Sequence, residues 1–196
     1  MPVTNGLICW LDGRDGNDFE LRGFTFSGDD GWTGNNLKVN FEQVAIKENF
    51  SLPEEYTIEV DMFVDGVKGF QSTFFYFGDG STSGDWRECV VRDDSGTFQV
   101  LQHNYKYNRK LFLKRYNLSI MGNRNSLCLY IDGIREYRVS VDNNVLSDLI
   151  ANFYLGCGCN FDRYCKARFN SVRVYNRILT EEEIKHNYEY EQLIQR

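Results

Sequence analysis

The sequence predicts an all-β fold with one short C-terminal helix, as a single domain over residues 1–196. Three observations carry that expectation. Segments with β-branched or aromatic residues at period-two spacing recur through most of the chain, each bounded by Gly, Asn or Asp clusters. Two tight hairpin signals, Asp94-Ser95-Gly96 and Asp132-Gly133, join such segments. The one helical signature comes at the end, where Thr180 and Glu183 have the spacing of a capping box.

In chain order the expected strands are Gly6–Leu11, Tyr56–Val64, Thr73–Phe77, Cys89–Arg92, Phe98–Gln102, Asn117–Met121, Ser126–Ile131, Ile134–Ser140, Phe153–Gly156 and Ala167–Tyr175. Asp94-Ser95-Gly96 pairs the fourth with the fifth, and Asp132-Gly133 pairs the seventh with the eighth. Asp12–Asn36 is rich in Gly, Asp and Asn and is expected to form long loops around a short segment at Glu20–Phe26, without a domain boundary. The helix begins after Thr180, with Ile184, Tyr188 and Leu193 along one face, and is expected to pack as a terminal lid.

A formal charge of -6, with Lys and Arg scattered among acidic residues, leaves no basic field for nucleic acid or anionic lipid, so neither is an expected partner. Met1–Trp10 lacks the basic and apolar regions of a signal peptide, and no later run approaches the roughly 18 apolar residues of a membrane span. The expectation is cytoplasmic synthesis. Under those conditions Cys9, Cys89, Cys128, Cys157, Cys159 and Cys165 are expected to be free and mostly buried thiols.

Several stretches carry a resemblance. Gly6-Leu7-Ile8-Cys9-Trp10-Leu11-Asp12-Gly13-Arg14-Asp15-Gly16 resembles the opening strand of laminin-G-like domains found in phage virion and bacterial surface proteins. Gly31-Trp32-Thr33-Gly34-Asn35-Asn36-Leu37-Lys38-Val39 is similar to their segment before the second core strand. Phe169–Ile184 resembles their final strand and helix, while Tyr56–Val64 and Leu127–Gly133 fall where the family has two further strands, in the same order. The resemblance implies a concanavalin A-like jelly roll of two curved sheets. It also marks a departure, because Asn40–Ala45 keeps one carboxylate where family members often carry an acidic pair for calcium.

Retaining glycosidases of this fold set carboxylates as Glu-x-Asp-x-x-Glu on one strand, which points nucleophile and acid into one cleft. Glu59-Val60-Asp61 begins that pattern and Val64 ends it, so the pair is expected to form a solvated strand face and the chain not to be an enzyme. His103 and His186 are the only histidines, and no serine or cysteine has nucleophile-elbow context. Cys157-Gly158-Cys159 with Cys165 lacks the two-plus-two spacing of a zinc knuckle, which favours free thiols over zinc or a disulfide.

Two candidate sites remain. Asp79, Asp85, Asp93 and Asp94 supply hard oxygen ligands in turn-like contexts, readable as a Ca2+ site or as ordinary turn residues. Trp86, Arg87, His103, Tyr105, Tyr107, Arg109 and Tyr164 combine aromatic faces with Arg and His, the chemistry that stacks on a sugar and grips its hydroxyls. The same residue types also mark subunit contacts. The leading expectation is a non-catalytic decoration module of a phage or prophage virion, assembled in the host cytoplasm and exposed on capsid, tail or fibre. The alternative is a calcium-dependent lectin for a host-surface glycan, on a virion or a bacterial cell surface. The partners are then virion proteins, a surface glycan or further copies of the chain.

Overall fold

The computed structural model describes residues 1–12, 24–27, 37–39, 44–67, 71–78, 88–92, 98–100, 103–105, 114–142, 144, 146–158 and 163–194. Within them the chain forms β1 (Leu7–Asp12), β2 (Thr25–Ser27), β3 (Leu37–Val39), β4 (Val44–Leu52), β5 (Tyr56–Val67), β6 (Gln71–Gly78), β7 (Glu88–Arg92), β8 (Phe98–Val100), β9 (His103–Tyr105), β10 (Arg115–Asn123), β11 (Ser126–Ile131), β12 (Ile134–Ser140), β13 (Leu149–Leu155), β14 (Cys165–Tyr175) and α1 (Glu181–Leu193). Sheet I runs β1-β14-β5-β10-β11-β12, with β3 also paired to β14, and sheet II runs β2-β4-β13-β6-β7-β8-β9. Every pairing is antiparallel, as the sandwich expectation requires.

Alternation decides what each sheet presents to its two sides. On β5, Tyr56, Ile58, Val60, Met62 and Val64 enter the core, so Thr57, Glu59 and Asp61 must face outward. Neighbouring strands repeat the division: Tyr116, Leu118 and Ile120 of β10 and Val172 and Val174 of β14 point inward. A bulge between Phe169 and Ser171, opposite Met62 and Asp61, then turns both Asn170 and Ser171 to the outer side. Sheet II answers with phenylalanine. Phe153 stacks on Phe77 at 4.4 Å and meets Phe24, Phe50 and Phe75 at 5.7 to 6.1 Å, a ring cluster that fills the sandwich centre.

The second hairpin closes as expected. Asp132 (φ 53°) and Gly133 (φ 75°) both take left-handed backbone, the two-residue turn that matches strand twist. Pairing of Val91 with Phe98 places the first hairpin too, although its turn lies outside the described residues. Strand β4 was not among the expected elements, and its own bulge explains why. Asn49 (φ 50°) sits opposite the irregularity at Ala151/Phe153, so Ala45 and Phe50 both reach the core from positions of opposite parity. No alternation survives across such a break.

Thr180 caps α1 as expected. Its Oγ1 accepts from the Glu183 amide at 3.2 Å, and Glu183 returns a carboxylate to the Thr180 amide at 2.9 Å. Arg177 grips the same carboxylate through both terminal nitrogens and lowers its pKa from the ordinary glutamate value. The buried face corrects the sequence expectation, for it consists of Ile184, Asn187 and Glu191, with Tyr188 half-buried and Leu193 66% exposed. The reason lies beneath the helix, where the covered surface is polar. Among the described residues, no helix is long and apolar enough to cross a membrane.

Candidate functional site

Glu59 and Asp61 correct a second expectation. They do not form a solvated face, because α1 lies over them and leaves each about as buried as the core, at 1% and 0% exposure. Asp61 accepts from Arg115 Nε at 2.9 Å and Nη2 at 3.0 Å, from Asn117 Nδ2 at 3.2 Å and from Asn170 Nδ2 at 2.6 Å. Glu59 accepts from Arg173 Nε at 3.1 Å, Asn187 Nδ2 at 2.8 Å and Ser119 Oγ at 3.3 Å. The helix contributes Glu191, which accepts from Ser171 Oγ at 2.8 Å and stands 3.0 Å from Arg173 Nη1 as an ion pair without hydrogen-bond angles. A buried charge needs such partners, since desolvation costs several kcal/mol per ion even after relaxation.

Electrostatics in this layer follow from burial and pairing. Burial pushes the Glu59 carboxyl above the ordinary glutamate value, against the opposing pull of Arg173, Asn187 and Ser119. Burial works against the charge on Arg173, yet Glu59 and Glu191 hold its guanidinium firmly protonated. Tyr175, beside both, is raised by burial and by Glu59. The N-terminal segment completes the seal: the Val3 amide donates to Asn187 Oδ1 at 2.8 Å, and Tyr175 Oη donates to the Val3 carbonyl at 3.1 Å. Neither carboxylate of the Glu-x-Asp pair meets solvent, so this face holds a helix in place.

The outer face of sheet II is different. Tyr76 and Tyr154, cross-strand partners on β6 and β13, stack at 5.4 Å with 26° between rings, and Asn152 Nδ2 donates to Tyr154 Oη at 3.1 Å. The Tyr76 ring lies along its strand over Gly78, where any Cβ would collide with it. Both rings are buried; Ile46 and half-buried Tyr164 pack against the same cluster, together with Cys157. Tyr164 is held there by backbone, with the Thr73 amide donating to the Arg163 carbonyl at 2.7 Å and Ser72 Oγ to the Tyr164 carbonyl at 3.2 Å.

Of the expected sugar-binding residues, the structure thus puts Tyr164 on this face. His103 and Tyr105 lie on β9, the outermost strand of the same sheet. The register runs Tyr105, Phe98, Val91, Ser72 across four strands, so Tyr105 ends the row that begins at the residue anchoring Tyr164. Three strand spacings separate the two, about 14 Å. Trp86, Arg87, Tyr107 and Arg109 lie outside the described residues, as do Asp79, Asp85, Asp93 and Asp94 of the calcium candidate. Among the described residues no group of three His, Cys, Asp or Glu side chains could hold a metal. Cys9, Cys157 and Cys165 are buried cysteines outside any disulfide, and Cys128 is a half-buried one. Burial and the neighbouring Cys157 push the Cys165 thiol up.

Comparison with known proteins agrees with this architecture. A family model for the concanavalin A-like lectin/glucanases superfamily, of laminin G type, matches residues 33–185. No curated protein matches the chain by sequence. Among solved structures it is similar to the Trypanosoma rangeli sialidase (TM-score 0.71, 16% identity), covering 98% of this chain and 34% of that one. It is similar to the receptor-binding domain of botulinum neurotoxin mosaic serotype C/D (TM-score 0.63, 16% identity), covering 87% and 46%. It is also similar to domain 4 of AbnA, an extracellular arabinanase of Geobacillus stearothermophilus solved with arabinotriose (TM-score 0.61, 15% identity), covering 93% and 98%. The chain therefore spans about a third of the sialidase but nearly all of the arabinanase domain.

Proposed function

Because the chain belongs to the concanavalin A-like lectin/glucanase superfamily in its laminin G form, we propose that it is a non-catalytic binding domain that holds a glycan on the outer face of sheet II. One observation carries this reading: α1 covers the outer face of sheet I over β14, β5 and β10, while sheet II carries the aromatic cluster of Tyr76, Tyr154 and Tyr164. Tyr76 and Tyr154 are buried and form the floor; Tyr164, half-buried, offers the ring a pyranose or furanose can stack on. The absence of catalysis is supported by the burial of Glu59 and Asp61 beneath α1, with arginine partners that would oppose proton transfer from either carboxylate.

The arabinanase domain of matching extent supports an oligosaccharide as the ligand class. Resemblance of the Gly6–Gly16 stretch to the opening strand of laminin-G-like domains found in phage virion and bacterial surface proteins supports a virion as the carrier, with calcium in the Asp79–Asp94 segment as an accessory to binding. An array of oligosaccharides probed with the pure chain, in calcium and in chelator, tests this directly. Signal on a defined sugar that drops roughly fivefold in Tyr164→Ala, the loss of about 1 kcal/mol of stacking, is the expected result. A blank array in both buffers would overturn the glycan reading and leave packing against another virion protein. Hydrolysis of any arrayed sugar would overturn the non-catalytic one.

A further inference from the structure

The polar layer under α1 ends at one row of sheet I. Arg115 Nη2 donates to the Glu191 carbonyl at 2.9 Å, so the last turn of the helix stops over the row in which Arg115 faces Phe63, Phe63 faces Arg168 and Arg168 faces Lys38. The buried stripe of Ile184, Asn187 and Glu191 continues at Ile194, which is 40% exposed where the covered layer runs out. Phe63 lies on the outer side of β5 by alternation and is half-buried, with the Arg168 guanidinium carbon 4.3 Å from its ring centre. Asp65 accepts from Arg168 Nε at 2.8 Å and from Nη2 at 2.9 Å, which fixes the guanidinium plane and leaves Nη1 for another acceptor.

Two lysines flank that arginine. Lys166 stands two residues before it on the same face, since Cys165, Ala167 and Phe169 enter the core, and Lys38 is its cross-strand partner on β3. Three cations thus meet the one carboxylate of Asp65, and neither Lys38 nor Lys166 has an ion-pair partner among the described residues. Like charges directly opposite one another on adjacent strands cost stability, and Lys38 and Arg168 are so placed. In a chain of net charge -6 this corner is a local exception.

We propose that the corner of sheet I beyond α1, with Lys38, Lys166 and Arg168 around Phe63 and Ile194, is a docking surface for an acidic segment of a partner protein that also carries an apolar side chain. A carboxylate of the segment accepts from Arg168 Nη1, others pair with the two ammonium groups, and the like-charge cost is offset. The apolar side chain covers Phe63 and Ile194. An aliphatic group at this place favours a peptide over an acidic sugar, which stacks on aromatic faces and here meets a Phe63 ring already occupied by Arg168. The surface lies past the helix end and on the sheet opposite the glycan face, so its occupancy displaces no bond of the polar layer and is independent of the sugar site.

Nitrogen-15 NMR of the full chain, titrated with a short peptide of glutamate and leucine residues and separately with its glutamine-for-glutamate counterpart, reads the surface. The acidic peptide is expected to give saturable shifts centred on Lys38, Phe63, Lys166, Arg168 and Ile194, with an affinity that falls as salt is added. Lys38→Gln combined with Lys166→Gln should weaken that binding roughly threefold to tenfold. Absence of shifts at these residues, equal binding of the glutamine peptide, or unchanged affinity in a folded double variant would overturn the proposal. Comparison of the two peptides on the wild-type chain decides even where the variant fails to fold. An oligogalacturonate bound at the same residues more tightly than the acidic peptide would assign the surface to an acidic sugar and also overturn it.

Discussion

Replacing Asp61 with Ala separates a structural acid from a catalytic one. The substitution removes the acceptor for four hydrogen bonds, two from Arg115 and one each from Asn117 and Asn170, and it does so in a site with no exposure. Arg115 would be left facing Glu191 Oε2 at 3.9 Å and the Glu191 carbonyl, neither of which replaces a bidentate carboxylate. Hydrogen bonds to a charge are worth about 1.5–3 kcal/mol each when counted singly, but those sharing one acceptor do not add. The loss for breaking a buried pair by removing one partner, about 3–5 kcal/mol, sets the scale. Against a total stability of roughly 5–15 kcal/mol this is a large fraction, and at about 2–4 °C per kcal/mol it lowers Tm by roughly 6–20 °C. Urea denaturation is the assay, with the slope required to stay constant so that the midpoint alone reports stability. Arg115→Ala in the same chain should return part of the loss, because the orphaned guanidinium disappears with it. A loss below about 1 kcal/mol, or strict additivity of the two changes, would refute a structural role for Asp61.

Two further perturbations test the packing around the sites. Gly133→Ala forces a side chain into a φ of 75° and sets its Cβ 3.0 Å from the Tyr188 ring, so a loss of about 1–2 kcal/mol with faster exchange in α1 is expected; unchanged exchange would mean that the hairpin turn does not support the helix. Phe153→Ala removes the ring shared by Phe24, Phe50, Phe75 and Phe77 and should cost about 3–5 kcal/mol by chemical denaturation, whereas a loss near 1 kcal/mol would mean that the cluster collapses around the gap.

How much of this was visible in the sequence depends on whether the signal was local. Asp132-Gly133 and the Thr180/Glu183 pair act through neighbours in the chain, and both motifs appear where composition placed them. Strands with unbroken alternation, such as Tyr56–Val64 within β5, were equally plain. β4 was not, because the bulge at Asn49 reverses parity midway. The buried layer was missed for a different reason. Glu59 and Asp61 on β5, Arg173 on β14 and Arg115 on β10 each look like the solvent side of a strand when read alone. The signal was the match between them: acids on one strand, bases on its neighbours, and a helix with Asn187 and Glu191 where an apolar stripe belongs. Reading it requires the strand order β14-β5-β10, which no single segment contains. The sugar-binding candidates were scattered for the same reason, and sheet register relates the backbone of Tyr105 to Ser72, whose hydroxyl donates to the Tyr164 carbonyl.

The polar seam under α1 also constrains where a ligand can bind. An apolar helix seated on an apolar sheet can slide or rotate by a residue at little cost, because dispersion contacts are not directional. Here Asn187 holds Glu59, Tyr175 and the Val3 amide at once, and Glu191 holds Ser171 and faces Arg173, so any shift leaves several buried polar groups unmatched. The helix is thereby fixed in register as well as in place. A ligand seeking the face of sheet I beneath α1 would have to displace that whole set, at a cost exceeding the roughly 4 kcal/mol that a millimolar sugar contact supplies. On sheet II, Tyr76 and Tyr154 are buried and half-buried Tyr164 packs against them. The proposed glycan binding on sheet II leaves α1 undisturbed, so it predicts that a bound oligosaccharide leaves hydrogen exchange in α1 unchanged while slowing it in β6 and β13.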